Sequence, residues 1–347
     1  MVDKQKIRKT VIKMFSVNLD LKTGESVLIL TDVPSKRDLK TKNPSLLADM
    51  SERAELARSV YEIAKKSFPK NKFFFYAYEA LWQHGKEPWP EVARFMLEHD
   101  VIVAITTFSL THTNARRRAC KRGSRIASMP GVVKDMFYPD GSLNADHRRI
   151  KKSCEKWKGL LEGSKEALIE TREGTELKLK LGKREYEIDD GFIVNPGDYG
   201  NLPAGEVCGA PLSATGKLII PKGWYPDLEE DITLVFKRGY VSSVEGGGIV
   251  GVDLVKKLGL LRKNVGKRVL SRRFVAEFGI GTNPKAKRPD NVLEAEKIKG
   301  TVHVAIGDNT SYPGGKNRSD IHLDFILPRP TVRLDGKLVI KNGKWKI

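Results

Sequence analysis

The sequence predicts an α/β fold made of an N-terminal parallel-sheet α/β domain, residues 1–155, and a C-terminal β-rich α+β domain, residues 156–347. Three observations support this prediction. The chain has 347 residues, whereas a single hydrophobic core rarely serves more than about 250–300. In the first half, short apolar segments alternate with segments of helical period, which is typical of βαβ units. In the second half, short strands are separated by Gly and Asp, which indicates a β-rich domain.

The elements of the first half follow one another in a regular order. Each predicted strand is a continuous apolar run, because a strand of a parallel sheet is covered on both faces. The segments between the strands have the period of 3.6 residues that marks a helix. The predicted strands are 26–31, 72–76, 101–106 and a segment near Arg125, and the predicted helices are 46–68, 90–99 and one that begins at Asn114.

The second half begins after a basic helical stretch, residues 144–163, that joins the two domains. Residues 175–181 alternate strictly between polar and apolar side chains, which predicts a half-buried strand. The remaining strands are predicted at 218–220, 232–236, 269–278, 301–306 and 322–327, with one helix at 252–258.

The chain carries a large excess of positive charge. It has 62 Lys and Arg against 43 Asp and Glu, a formal charge of +19. Such an excess is common in nucleic-acid-binding proteins. The basic clusters lie in separate segments, however, without a zinc-finger or KH pattern, so we interpret them as solvated faces. A non-enzymatic basic nucleic-acid-binding protein stays open as an alternative, although the pattern does not favour nucleic acid as a partner.

Further features of the composition indicate where the protein works. No apolar run approaches the length of a membrane span, and the basic N-terminus is not followed by the apolar core of a signal peptide. The three Cys are odd in number and lack CxxC spacing, which indicates free thiols in a reducing compartment. We therefore expect a cytoplasmic protein without a membrane partner. The scarcity of Gln beside abundant Lys and Glu is typical of a thermophile.

Two His and three carboxylates in the second half stand at strand ends or beside glycine turns. His322 and Asp324 are two positions apart in an apolar strand, so both side chains point to the same face. His303 interrupts a strand of core-forming residues, Glu277 ends such a strand, and Glu206 follows a Pro-Ala-Gly turn. Each residue alone also fits an ordinary buried hydrogen bond. Together, if their segments converge in space, they predict a metal site.

The residue types restrict the metal. Imidazole and carboxylate without thiolate suit zinc, cobalt, manganese or non-haem iron. Five ligands exceed the three protein groups that one open catalytic ion needs, so we predict two neighbouring divalent ions that share a bridging carboxylate and a water. Two such ions lower the pKa of the water and polarise a carbonyl under attack. The predicted metal ligands are Glu206, Glu277, His303, His322 and Asp324.

Four segments of the sequence resemble the site blocks of the metallo-aminopeptidases typified by aminopeptidase T and aminopeptidase S. The likeness is specific in the second half and fainter in the first. It implies a homodimer that removes N-terminal residues from short peptides, with a pair of zinc, cobalt or manganese ions on the five predicted ligands. The segments are 201–207, 276–284, 300–307 and 321–325, in the order of the family.

The same resemblance implies catalytic roles. A metal-bound hydroxide would attack the peptide carbonyl, and Glu206 or Glu277 would shuttle the proton. The family also carries a Tyr after the His303 block, thought to stabilise the tetrahedral intermediate. Thr310 occupies that position here, and Tyr312 is predicted to take its place through a longer loop.

A second family looks related to these peptidases. The 2,5-dihydroxypyridine dioxygenases hold one Fe(II) through two His and one Asp, and His303, His322 and Asp324 would form such a triad. The two families differ in their need for further carboxylates. Glu206 and Glu277 would both be ligands in a dinuclear hydrolase, whereas a mononuclear oxygenase needs neither. The sequence therefore favours the aminopeptidase, with the dioxygenase as the alternative.

Overall fold

The computed structural model describes residues 2–347, which divide into two compact units. The first unit consists of residues 2–146 and 191–204, and the second of residues 147–190 and 205–347. The first contains a parallel sheet and the second contains antiparallel sheets, so the predicted fold class is confirmed. The predicted domain boundary at residue 155 falls inside a helix, His147–Gly163, that belongs to the second unit.

The first unit is built on a five-stranded sheet in which every neighbouring pair is parallel. Strand β1 lies between β2 and β3, and its central residues are fully buried, which explains its continuous apolar sequence. With strands numbered along the whole chain, the sheet order is β2 (Lys72–Glu79), β1 (Ser26–Val33), β3 (Val101–Ala104), β4 (Arg125–Ser128) and β8 (Tyr199–Asn201).

The helices of the first unit begin where the sequence offers caps. The side chain of Asn43 accepts a hydrogen bond from the amide of Ser45, and Pro44 fills the first helical position, so the longest helix starts there. Asp3 and Thr113 cap two others in the same way. The α-helices are α1 (Lys4–Lys13), α2 (Asp38–Thr41), α3 (Pro44–Ser67), α4 (Pro90–Leu97) and α5 (Asn114–Lys121).

The second unit contains two antiparallel sheets. One has eight strands in the order β12 (Tyr240–Gly246), β11 (Ile232–Lys237), β10 (Ser213–Ile220), β6 (Glu176–Lys180), β5 (Glu166–Glu170), β16 (Thr331–Leu334), β17 (Lys337–Lys341) and β18 (Lys344–Trp345). The other has five, in the order β15 (His322–Leu327), β14 (Val302–Gly307), β13 (Val275–Gly281), β9 (Glu206–Gly209) and β7 (Glu187–Asp189). Its helices are α6 (His147–Gly163), α7 (Gly248–Leu258), α8 (Lys267–Ser271) and α9 (Val292–Ala295).

One predicted strand, residues 269–278, is only partly correct. Its first residues form the end of α8, and the strand begins at Val275. Two arginine side chains stabilise the turn between them. Arg272 pairs with Asp320 at 2.6 Å, and Arg273 donates to the carbonyl of Leu258 at 2.8 Å. These partners are distant in sequence, so the local apolar pattern could not reveal the turn.

No helix within residues 2–347 combines the length and the apolar character needed to cross a membrane.

Candidate metal centre

The five-stranded antiparallel sheet of the second unit brings the five predicted ligands together. Each lies on one of four consecutive strands: His322 and Asp324 on β15, His303 on β14, Glu277 on β13 and Glu206 on β9. Asp324 is half-buried, and Glu206, Glu277 and His303 are at most 6% exposed. The convergence assumed from the sequence is therefore present in the fold, and the side chains form two groups.

The first group consists of Glu277, His322 and Asp324, each of which offers one ligand atom within 4.8 Å of the others. His322 Nε2 lies 2.9 Å from Glu277 Oε2 and 3.3 Å from Asp324 Oδ1. The other ring nitrogen, Nδ1, lies 2.7 Å from the backbone oxygen of Asp308, to which it donates. A hydrogen bond of this kind holds a metal-binding imidazole in orientation, with Nε2 directed at the ion.

The electrostatics of this first group favour a cation. Burial alone lowers the pKa of His322, but Asp324 and Glu277 raise it well above its usual value. Burial raises the pKa of Glu277, whereas hydrogen bonds to His303 and His322 lower it well below its usual value. Because the two carboxylates stabilise positive charge at His322 Nε2, a divalent ion placed among them would displace that proton.

The second group consists of Glu206, Glu296 and His303, again with ligand atoms within 4.8 Å of one another. His303 Nε2 lies 3.4 Å from Glu206 Oε2 and 3.0 Å from Glu277 Oε1, so it links the two groups. Burial lowers the pKa of His303, but the hydrogen bond and charge of Glu277, with the charge of Glu206, raise it to about 9. Glu296 follows α9 in a charged segment, Glu294–Lys299, that looks like an ordinary solvated turn, so sequence analysis missed it.

A lysine ammonium lies against the second group. Lys297 is fully buried, and its Nζ lies 2.5 Å from Glu206 Oε1, 3.5 Å from Glu296 Oε1 and 3.8 Å from Asp189 Oδ2. Burial lowers the pKa of Lys297, but the three carboxylates raise it well above its usual value, so the amine is charged. Sequence analysis missed Lys297 and Asp189, since neither carries a local signal of burial.

Tyr312, the predicted substitute for the family Tyr, lies beside Glu277 and His322. Its hydroxyl donates to Glu277 Oε2 at 2.6 Å, and its ring centroid is 6.2 Å from that of His322. Thr310, in the position where the resemblance expected a Tyr, instead donates to Asp308 Oδ1 at 2.8 Å. The loop therefore directs Tyr312 to the carboxylate of Glu277.

Gly279 leaves the space that the His303 ring occupies. It pairs with His303 across β13 and β14, and a Cβ atom built at Gly279 would lie 2.1 Å from His303 Nε2. We expect Gly279→Ala to displace the ring and to lower the free energy of unfolding by about 1–3 kcal/mol, the usual cost of overpacking. Urea denaturation measures the loss.

Gly159→Ala is the matched control for this substitution. Gly159 lies within α6, and a Cβ atom there has open space around it. Alanine should stabilise that helix by about 0.5–1 kcal/mol relative to glycine. Equal unfolding free energies for the two variants would contradict the assigned role of Gly279.

Two solved structures resemble this chain in fold, and one curated protein resembles it in sequence. The 2,5-dihydroxypyridine dioxygenase from Pseudomonas putida KT2440 aligns over 99% of this chain and 98% of its own, with a TM-score of 0.71 and 18% identity. Wild-type AmpT from Thermus thermophilus aligns over 99% and 100%, with a TM-score of 0.64 and 16% identity. At these identities both matches show the fold alone. In sequence, the 2,5-dihydroxypyridine 5,6-dioxygenase of Pseudomonas putida KT2440 is 24% identical over 259 residues, 70% of each protein.

The family whose model matches this chain is not the one that the sequence analysis favoured. The prediction of an aminopeptidase T or aminopeptidase S relative, and hence of a peptide hydrolase or protease, is wrong. That prediction took Glu206 and Glu277 as ligands of a pair of ions. In the structure Glu206 Oε1 lies 2.5 Å from Lys297 Nζ, and Glu277 lies in the group of His322 and Asp324. The model of the NicX family, described as 2,5-dihydroxypyridine 5,6-dioxygenase, matches residues 10–346. The chain therefore belongs to that dioxygenase family, the alternative that the sequence analysis left open.

Proposed function

We propose that this protein is a metal-dependent dioxygenase that opens the ring of a 2,5-dihydroxypyridine or a close analogue. The match of the family model over residues 10–346 carries the proposal. The group of Glu277, His322 and Asp324 supports it, because it offers the nitrogen and oxygen atoms that a catalytic metal of this kind needs.

The side chains of the first group fit one divalent ion. Asp324 Oδ1 is buried without a hydrogen bond among the described residues and lies 3.3 Å from His322 Nε2, so an ion bound by both atoms would satisfy it. One imidazole and two carboxylates suit Fe(II) or Mn(II). The set differs by one ligand from the predicted triad of His303, His322 and Asp324, because His303 lies in the second group. When bound, such an ion supplies the redox chemistry that activates O2.

The surrounding residues hold the proposed ligands in place. Glu277 is hydrogen-bonded at both oxygens, with His303 at Oε1 and Tyr312 at Oε2. The carbonyl of Asp308 fixes the ring of His322 from the other side. Partners of this kind set the orientation of metal ligands and raise metal affinity about 10–100-fold. The ligand atoms are therefore positioned by the protein itself.

Oxygen uptake after metal removal tests the proposal. We expect chelator-treated protein to be inactive with 2,5-dihydroxypyridine. Anaerobic loading with Fe(II), followed by substrate and air, should restore consumption of one O2 per ring, since a dioxygenase transfers both oxygen atoms to its product. Loading with zinc should restore none, because zinc has no redox chemistry. An oxygen electrode and the ultraviolet absorbance of the substrate measure the reaction. Folded protein that takes up no O2 with either Fe(II) or Mn(II) bound would contradict the proposal.

A further inference from the structure

The carboxylates of the second group already bind a cation, the ammonium of Lys297. Lysine is almost never fully buried unless it is paired, and here three carboxylates lie within 3.8 Å of the ammonium nitrogen. The nearest contact, 2.5 Å to Glu206 Oε1, is a charge-assisted hydrogen bond between two buried side chains. Two of the three carboxylates, Glu206 and Glu296, are the same side chains that could hold a metal together with His303.

We propose that the ammonium of Lys297 takes the place of a second metal ion, so that each chain binds one ion at Glu277, His322 and Asp324. The inference rests on the proposed function, which places that one ion. A divalent cation bound by Glu206 and Glu296 would lie close to Nζ, and like charges at a few ångströms repel strongly in a buried site. The side chains offer two neighbouring groups of metal ligands. Lys297 therefore limits the number of ions that each chain binds to one.

Removal of the Lys297 amine should create a second metal site. Without Lys297, the carboxylates of Asp189, Glu206 and Glu296 would lose the ammonium that lies within 3.8 Å of all three, and Glu206 and Glu296 would stand beside the imidazole of His303. Glu206 Oε2 is buried without a hydrogen bond among the described residues, 3.4 Å from His303 Nε2, and is available as a ligand atom. Carboxylate and imidazole ligands suit Mn(II). A second site for Mn(II) should therefore open.

Counting Mn(II) ions on the full-length protein tests this inference. Metal-free wild type and Lys297→Met are titrated with Mn(II), while electron paramagnetic resonance measures free and bound ion. Wild type should bind one Mn(II) per chain, and Lys297→Met should bind two with the spectrum of a spin-coupled pair. Lys299→Met is the matched control, since Lys299 is an exposed lysine of the same segment whose ammonium lies over the ring of Trp345; it should bind one.

Each other outcome also decides the question. Two ions on wild type, or one ion on folded Lys297→Met, would overturn the proposal. If Lys297→Met folds only with Mn(II), the proposal is supported, because the ion then replaces the ammonium. If it stays unfolded in saturating Mn(II) while Lys297→Met/Glu206→Gln folds and binds one ion, the proposal fails. The dioxygenase assignment is judged separately, by O2 uptake of the wild type.

Discussion

Replacing His322 with alanine should abolish tight metal binding and, with it, substrate-dependent O2 uptake. His322 contributes the single imidazole of the first group, and its Nε2 lies within 3.3 Å of an oxygen of both Glu277 and Asp324. Loss of a partner outside the ligand shell typically lowers metal affinity about 10–100-fold. Loss of the ligand itself should therefore exceed about 100-fold. Titration of the metal-free variant with Mn(II) measures the affinity.

Two matched variants make the result specific. His99→Ala removes a half-buried imidazole from the first unit, where Nδ1 lies 2.7 Å from the carbonyl of Phe95, and it should leave Mn(II) affinity unchanged. His303→Ala removes the imidazole that the sequence analysis placed in the triad. If Glu277 is the third ligand, His303→Ala keeps one bound ion with an affinity loss within about 100-fold, as for an outer partner. Wild-type Mn(II) affinity in His322→Ala would exclude the proposed ligand set.

Glu206→Gln should lower the free energy of unfolding by about 3 kcal/mol at neutral pH. Breaking a buried ion pair by removal of one partner costs about 3–5 kcal/mol, since the remaining charge is left uncompensated. The low end applies here because Glu296 and Asp189 remain within 3.8 Å of Lys297 Nζ. Urea denaturation of the metal-free protein separates this effect from metal binding.

Glu296→Gln provides the control for this prediction. It makes the same chemical change in a carboxylate that lies 3.5 Å from Lys297 Nζ, against 2.5 Å for Glu206. The longer contact should give a smaller loss. Burial and the charge of Glu206 raise the pKa of Glu296 above its usual value, although Lys297 lowers it, so neutralisation of Glu296 costs the protein less. A larger loss for Glu296→Gln than for Glu206→Gln would contradict the pairing.

Much of the fold could be predicted because its signals are local. The helix expected at 46–68 is observed at Pro44–Ser67, and the strand expected at 322–327 is observed with those bounds. Where the chain turns through distant partners, as at Arg272 and Asp320, the local pattern was misleading. The predicted homodimer and thermophilic origin stay predictions.

The candidate site was predictable only in part. His322 and Asp324 follow from a period of two along one strand, and their neighbours from glycine turns and a family resemblance. Glu296 and Lys297, by contrast, sit in a charged segment with no apolar period. Their burial depends on how that segment packs beside β9 and β14, so their contribution to the centre appears only in three dimensions.

The sequence by itself determined the fold class and the side chains from which a metal centre could be built, because strand period and apolar patterning act between near neighbours. Only the tertiary structure decided which of those side chains can hold a metal ion and which pair with an ammonium. Whether Glu206 serves a metal ion or an ammonium depends on Lys297, 91 residues away along the chain, whose Nζ lies 2.5 Å from Glu206 Oε1 in the fold. Electrostatic pairing depends on distance in space, and a sequence does not contain that distance.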